Sequence, residues 1–397
     1  MSNFIYQFES HIQSYKNKWF TLETSPVVRP KQSLMHQFLS YYHARKCIKA
    51  LMKKCQGYQS LSQLKHLKSD QVVDDLLKLW FQMDYKALDE TVRGDYIAAT
   101  EQFIDRAKHD FPEMKEDSIY QALRNVWIMI AIQMMTAMPV HLTDAMYAYS
   151  MLYPLTDNVL DDPELNEQDK KAFVHYVGER LKGSIKAKHP HTQSVDQMIG
   201  LIEAQYDRYE YPEVYESLLQ IHRDQKKSLA QQYDLLSEGQ ILDISFRKGA
   251  SSVLADGFLV CGSLDDHLFH FLTGYGIVLQ LADDLQDMTT DREANHMTLF
   301  SSEASPYMLE HKVDQLIALS REIMLSKGKA EVMTLNMLLD RSLTLLIDDA
   351  LILHRRYFSN IYIHDKSRRH LTGYWGFKKL KAHLMKMSHS LNINYTN

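Results

Sequence analysis

Helix-breaking residues are too scarce in this chain to punctuate anything but long helices. Its 397 residues include only 14 glycines and 9 prolines, roughly half of ordinary usage. Strand-like runs bounded by Asn-Gly or Gly-Gly turns are absent. From Leu34 onward, apolar residues instead recur at three- and four-residue steps, the period of an amphipathic helix. The pattern predicts an all-α protein with helices at roughly 34–55, 71–82, 87–109, 116–138, 141–162, 167–186, 192–208, 213–237, 243–262, 265–290, 306–326, 330–358 and 373–388. Residues 1–33 carry Pro26 and Pro30 and read as an irregular lead-in. No composition shift or repeat marks a linker, so 34–397 reads as one helical domain.

Charge and cysteine content narrow the partners. A net charge of −5 gives no reason to expect nucleic acid. Cys47, Cys55 and Cys261 are odd in number and lack CxxC spacing, which fits neither a disulfide framework nor a zinc site. They suit reduced thiols of a cytoplasmic protein. The opening residues lack a signal peptide's basic-then-apolar layout. The longest apolar run, 126–140, is broken by Gln133 and Thr136 and is short for a bilayer span. No integral membrane segment is expected.

Two acidic clusters carry the chemistry. The first is Asp157-Asn-Val-Leu-Asp161-Asp162, closing an apolar stretch that includes Tyr149 and Tyr153. Residues four apart share a helical face, so Asp157 and Asp161 point together with Asp162 beside them. Pro154 either kinks this helix or starts a new one. The second cluster, Asp283, Asp284, Asp287 and Asp291, ends the almost wholly apolar run 268–281. Asp283, Asp287 and Asp291 form an i, i+4, i+8 ladder.

Like charges at that spacing destabilise a helix by about 0.2–0.5 kcal/mol per pair. Negative charge at a helix C-terminus costs about 0.3–1 kcal/mol more. A solvated acidic face tolerates one such cluster; two are harder to dismiss, and bound cations reverse the sign of the problem. All-oxygen donors without cysteine or histidine suit Mg²⁺, which leaves coordination positions for substrate phosphate.

These residues resemble the class I, trans-type isoprenoid synthase superfamily. DNVLDD at 157–162 is similar to the first motif of squalene synthases, and GIVLQLADDLQDMTTD at 276–291 to the second motif of polyprenyl synthases, where a Gln (here Gln280) precedes DDxxD. Between them, Glu238-Gly239-Gln240-Ile-Leu-Asp243 resembles a GQxLD segment. Arg247-Lys248 stands where the family places a basic pair or a diphosphate-sensing arginine. Arg356-Tyr357 is similar to the Arg-Tyr pair that terpene synthases use on diphosphate. The resemblance covers roughly residues 140–300.

It implies a helical bundle around a central apolar cavity and a prenyl diphosphate substrate. Asp157, Asp161, Asp283 and Asp287 would be catalytic. With Asp162, Asp284 and Asp291 they would hold Mg²⁺, three ions once substrate is bound. Arg247, Lys248, Gln280, Arg356 and Tyr357 would hold diphosphate. Family members are often dimers, so a homodimer is implied too. Phe246, Phe258, Tyr275, Tyr149 and Tyr153 are candidates for the cavity wall by position.

The chain departs from chain-elongating enzymes. Their Arg-Arg pair after the first motif is replaced here by Pro-Glu-Leu-Asn-Glu-Gln, and Arg29-Pro30-Lys31 is a weak match to their N-terminal basic segment. The leading expectation is therefore a terpene synthase that ionises one linear prenyl diphosphate and cyclises or quenches the cation. A prenyltransferase (elongating or squalene/phytoene synthase-like) and a non-catalytic helical partner stay open. Bland readings also stay open. Arg247 and Lys248 suit a structural salt bridge, Gln240 and Asp243 a helix cap, Arg356-Tyr357 a solvated helix end, and the basic stretch 366–386 a solvated tail.

Overall fold

The computed structural model describes residues 2–23, 30–54, 75, 90–160, 162, 164–184, 192–233, 235–324 and 330–390. All regular structure among them is helical, as the scarcity of breakers requires. The expected helix 71–82 lies outside the described residues except for residue 75. No helix among the described residues is long and apolar enough to cross a membrane.

The chain gathers into two compact units, Met1–Lys18 with Ala98–Gln280, and Trp19–Ile97 with Leu281–Asn397. The first is built on helices α4 (Glu116–Met135), α5 (Asp144–Leu160), α6 (Glu167–Leu181), α7 (Gln193–Gln205), α8 (Pro212–Ser228) and α9 (Glu238–Cys261). Its centre is α9, which packs on α8, α4 and α5. Residues 253–260 of α9 are buried without interruption, so this helix is apolar nearly all round.

The irregular lead-in expected for 1–33 is instead largely a helix, α1 (Asn3–Thr21), preceding α2 (Leu34–Lys54) and α3 (Glu90–Asp110). Its reason is a stripe at 4-4-3 spacing: Phe4, Phe8, Ile12 and Tyr15 are at most 2% exposed. Phe4 packs edge-on against Phe258 of α9, with ring centroids 5.6 Å apart. Each such burial contributes about 1.5–3 kcal/mol, which outweighs any bias from the prolines beyond.

The first unit also contains most of α10 (Asp266–Gln286). α9 starts in a capping box, the Ser237 N–H donating to Gln240 Oε1 at 2.9 Å. It ends at Gly262, whose φ of 75° lets its N–H return to Phe258 O at 2.8 Å. α5 runs through Pro154 as one helix, settling whether a second helix begins there. The expected helix 213–237 stops earlier, at Ser228, and a single turn Ala230–Tyr233 follows.

The second unit holds α11 (Met288–Glu293), α12 (Pro306–Met324), α13 (Ala330–Leu353), a 3₁₀ turn Arg355–Tyr357, α14 (Asn360–Arg369) and α15 (Gly373–Ser390). α2 packs on α15 through Tyr41, Ala44, Ile48 and Leu380. The basic stretch 366–386 is more than a solvated tail. Lys366 pairs with Asp314 at 2.6 Å, Arg369 with Asp365 at 2.8 Å and Lys381 with Asp349 at 2.6 Å.

Candidate functional site

The second acidic cluster straddles the end of α10 and the start of α11. The break at Asp287 does not disturb the helical register. Asp287 N–H donates to Asp283 O at 2.9 Å and Asp291 N–H to Asp287 O at 2.8 Å. Asp283, Asp287 and Asp291 therefore keep one face, as the spacing predicts. Asp284 is buried, Asp283 and Asp291 are half-buried and Asp287 is exposed. Asp291 Oδ2 accepts from the Thr298 hydroxyl at 3.2 Å.

The end of α13 is clasped to this segment. His354 Nε2 bonds Gln286 O at 2.8 Å, and its Nδ1 lies 2.8 Å from the Thr289 hydroxyl. A carbonyl can only accept, so Nε2 carries the proton and Nδ1 accepts from Thr289. Burial holds His354 below the usual imidazole range, which keeps the ring neutral. The two residues it grips flank Asp287.

The clasp brings the Arg356-Tyr357 pair to the aspartate ladder. Arg292, one residue past Asp291, lies 4.4 Å from the centre of the Tyr357 ring. Arg356 donates to the Tyr357 hydroxyl at 2.7 Å. Arg292 also ties down the loop that follows α11, donating to Ser301 O at 3.0 Å and to Glu303 O. Sequence reasoning named Arg356 and Tyr357 but missed His354, Thr289 and Arg292. The only signal for the histidine was its place directly before an Arg-Arg-Tyr run.

In the first unit, Asp157 is half-buried in the last turn of α5. Asp161 lies outside the described residues. Asp162 Oδ1 accepts the Glu164 N–H at 2.8 Å.

α9 separates its two adjacent cations. Arg247 is 12% exposed and forks onto both oxygens of Glu9 at 2.8 and 2.6 Å, with its Nε on Asp243 at 2.8 Å. Lys16 adds a bond to Asp243 at 2.9 Å. The Glu9 hydrogen bond pushes Arg247 above its ordinary value. The salt-bridge reading thus describes Arg247 and Asp243, and the capping reading Gln240. Lys248 is half-buried and has no ion pair among the described residues.

Immediately beside Lys248, α9 and α10 meet backbone to backbone at Gly249 and Gly276. A Cβ at Gly249 would stand 2.7 Å from Gln280 Cβ and 2.9 Å from the Gly276 carbonyl carbon. Only glycine permits this approach, and it sets Lys248 and Gln280 on touching turns. Of the wall candidates, Phe246, Phe258, Tyr149 and Tyr275 are buried, whereas Tyr153 is 42% exposed.

No group of three or more His, Cys, Asp or Glu side chains is gathered to hold a metal among the described residues. Mg²⁺ does not need one: it keeps several waters and takes one or two carboxylates plus substrate phosphate. The carboxylate ladder at 283, 287 and 291 fits that donor set in kind. No protein-family model, curated protein or solved structure matches this chain.

Proposed function

We propose that the chain is a Mg²⁺-dependent class I terpene synthase, with the isoprenoid synthase helical bundle around an apolar cavity. It ionises a linear prenyl diphosphate, then cyclises or quenches the allylic cation and releases diphosphate. The observation that carries this reading is the clasp in the second unit, where an unbroken aspartate ladder and an Arg-Tyr pair are held together by His354 and Arg292. Either feature alone has an ordinary structural explanation. Their joining through a buried neutral histidine gives both one purpose.

In this reading Asp157 and Asp161 of the first motif, and Asp283 and Asp287 of the second, are the metal ligands, with Asp162, Asp284 and Asp291 in support. When bound, Mg²⁺ supplies neutralisation of the charge that grows on the departing diphosphate. Lys248 and Arg356 add positive charge to the same leaving group, and the Gln280 amide donates a hydrogen bond. Arg247, engaged by Glu9 and Asp243, positions α9 rather than binding substrate. The buried aromatics keep water from the cation and offer it their π faces.

The test is incubation of the full chain with Mg²⁺ and linear prenyl diphosphates of increasing length, with and without isopentenyl diphosphate. A hydrocarbon or alcohol from one substrate alone is the expected result. A longer diphosphate formed only with isopentenyl diphosphate would move the assignment to a prenyltransferase. No product and no diphosphate release on any substrate would leave the non-catalytic partner.

A further inference from the structure

Two helices of the second unit concentrate charge of one sign. α2 and α15 together carry nine lysines and arginines and no aspartate or glutamate, in a chain whose net charge is −5. Two acids of α13 face α15, and both are engaged. Asp348 accepts from the Tyr374 hydroxyl at 2.8 Å, and Asp349 pairs with Lys381 at 2.6 Å.

The two helices run parallel. Gln37 lies against Gly373, Tyr41 against Trp375 with ring centroids 5.1 Å apart, and Ile48 packs with Leu380. Each helix is apolar at the start of its exposed side and cationic further along. On α2, Leu34, Met35, Phe38, Leu39 and Tyr42 are 57–67% exposed. The same helical face continues into Lys46, Lys49 and Lys53, all exposed. On α15, Trp375 is 61% exposed, and Lys378, Lys379 and Lys386 follow it on the exposed side. Lys379 Nζ lies 4.4 Å from the centre of the Trp375 ring.

A single exposed leucine needs no explanation. Six large apolar side chains at the same end of two packed helices form a patch, and patches mark contacts. Nucleic acid would engage the lysines and leave Leu34, Met35 and Leu39 in water. A second copy of the chain would bring the same cations, and lysine is depleted at protein interfaces. The boundary of an anionic bilayer satisfies both parts of the face. Acyl chains take the apolar residues, headgroup phosphates take the lysines, and tryptophan favours that depth. No helix among the described residues is long and apolar enough to cross a membrane, so this contact is with the surface of one leaflet.

We propose that the exposed face of α2 and α15 docks on an anionic phospholipid bilayer. Phe38, Leu39 and Trp375 enter the interface where the two helices start. Lys46, Lys49, Lys378 and Lys379 meet the headgroup phosphates, their apolar stems lying along the boundary. Each lysine near such a surface strengthens binding by about fivefold, and salt screens that attraction. The inference stands apart from the terpene synthase reading.

The experiment sediments the full chain with vesicles of phosphatidylcholine alone, with vesicles of phosphatidylcholine and phosphatidylserine, and without lipid, each at low and high salt. Native protein is compared with Phe38→Ser/Leu39→Ser and with Lys46→Gln/Lys49→Gln. All four residues are exposed, so both variants should keep native circular dichroism. Native protein should pellet with the phosphatidylserine vesicles alone and leave them at high salt. The apolar substitutions should weaken binding by at least about tenfold, and the lysine substitutions by about thirtyfold.

Native protein that stays in solution with phosphatidylserine vesicles overturns the proposal, a result that needs no variant to fold. So does equal binding to phosphatidylcholine alone. Native-level binding by Phe38→Ser/Leu39→Ser would leave a purely electrostatic surface, of the kind nucleic acid uses, and overturns it as well. Lipid-free dimers that the same substitutions dissolve, without vesicle binding, would assign the face to a second copy instead. None of these outcomes bears on diphosphate release, so the two readings fail separately.

Discussion

Replacing Gly249 with alanine tests the helix crossing that sets Lys248 beside Gln280. The new methyl would sit 2.7 Å from Gln280 Cβ and 2.9 Å from the Gly276 carbonyl carbon. Comfortable carbon–carbon separation is about 3.5–4.0 Å, so the shortfall is about 1 Å. Backbone cannot swing aside as a side-chain tip can, and the helices must part. Overpacking of this kind costs about 1–3 kcal/mol, against about 1 kcal/mol gained from alanine's helix propensity.

The net expectation is a loss of up to about 2 kcal/mol, read from urea unfolding followed by circular dichroism. Gly200, inside α7, is the control, because a Cβ there meets nothing within 4 Å. Gly200→Ala should gain about 0.5–1 kcal/mol. The crossing also fixes Lys248 beside Gln280, so Gly249→Ala should slow turnover, by up to about a hundredfold if the displacement reaches 1 Å. Gly249→Ala at or above native stability, matching Gly200→Ala, would refute the close approach and the reason given for it.

Asp283→Ala and Asp287→Ala should each abolish diphosphate release with helical circular dichroism unchanged; an active variant contradicts the ligand assignment. Lys248→Ala should weaken inhibition by pyrophosphate at native stability. Arg247→Ala should instead cost about 1 kcal/mol, because the part-exposed Glu9 loses its partner while Asp243 keeps Lys16, so equal stabilities would refute this division of labour.

Glu203 bonds Arg180 Nη2 at 2.6 Å and Arg208 Nη2 at 2.8 Å. The Arg180 hydrogen bond, opposed by burial and helped by Arg208, holds it at about 2, below the ordinary 4.5. A lowered carboxylate pKa gives stability that is full above pH 4.5 and is lost as pH falls through about 2. Solvent screening of this partly exposed group leaves a contribution of about 1 kcal/mol. Glu203→Gln should remove that part of the acid-unfolding slope, and an unchanged slope would show that the pair is energetically idle.

What the sequence made legible follows from how local the signal is. The ladder at 283, 287 and 291 needs only helical periodicity, and its backbone register is as expected. The extent of α5 and α9 was readable within a few residues for the same reason. α1 was missed because two prolines beyond it drew attention from the stripe Phe4, Phe8, Ile12, Tyr15, whose burial depends on partners far along the chain such as Phe258. α14 was missed because it buries no residue, so its sequence lacks an apolar face.

The choice between Arg247 and Lys248 was not legible at all: it depends on Glu9, 238 residues away. Likewise, His354 acquires its meaning from Gln286 and Thr289, 68 and 65 residues earlier. Gln240 could have been assigned, since Ser237 and Gln240 carry the capping-box spacing in plain sight. Asp161 lies outside the described residues, so the first motif rests on Asp157 and Asp162.

The most direct test of the central claim is calorimetric titration of a non-ionisable prenyl diphosphate analogue, with and without Mg²⁺, into native protein and Asp283→Ala. The account predicts binding that requires Mg²⁺ and disappears in the variant. Binding of equal strength in all four titrations, or none in any, would contradict it.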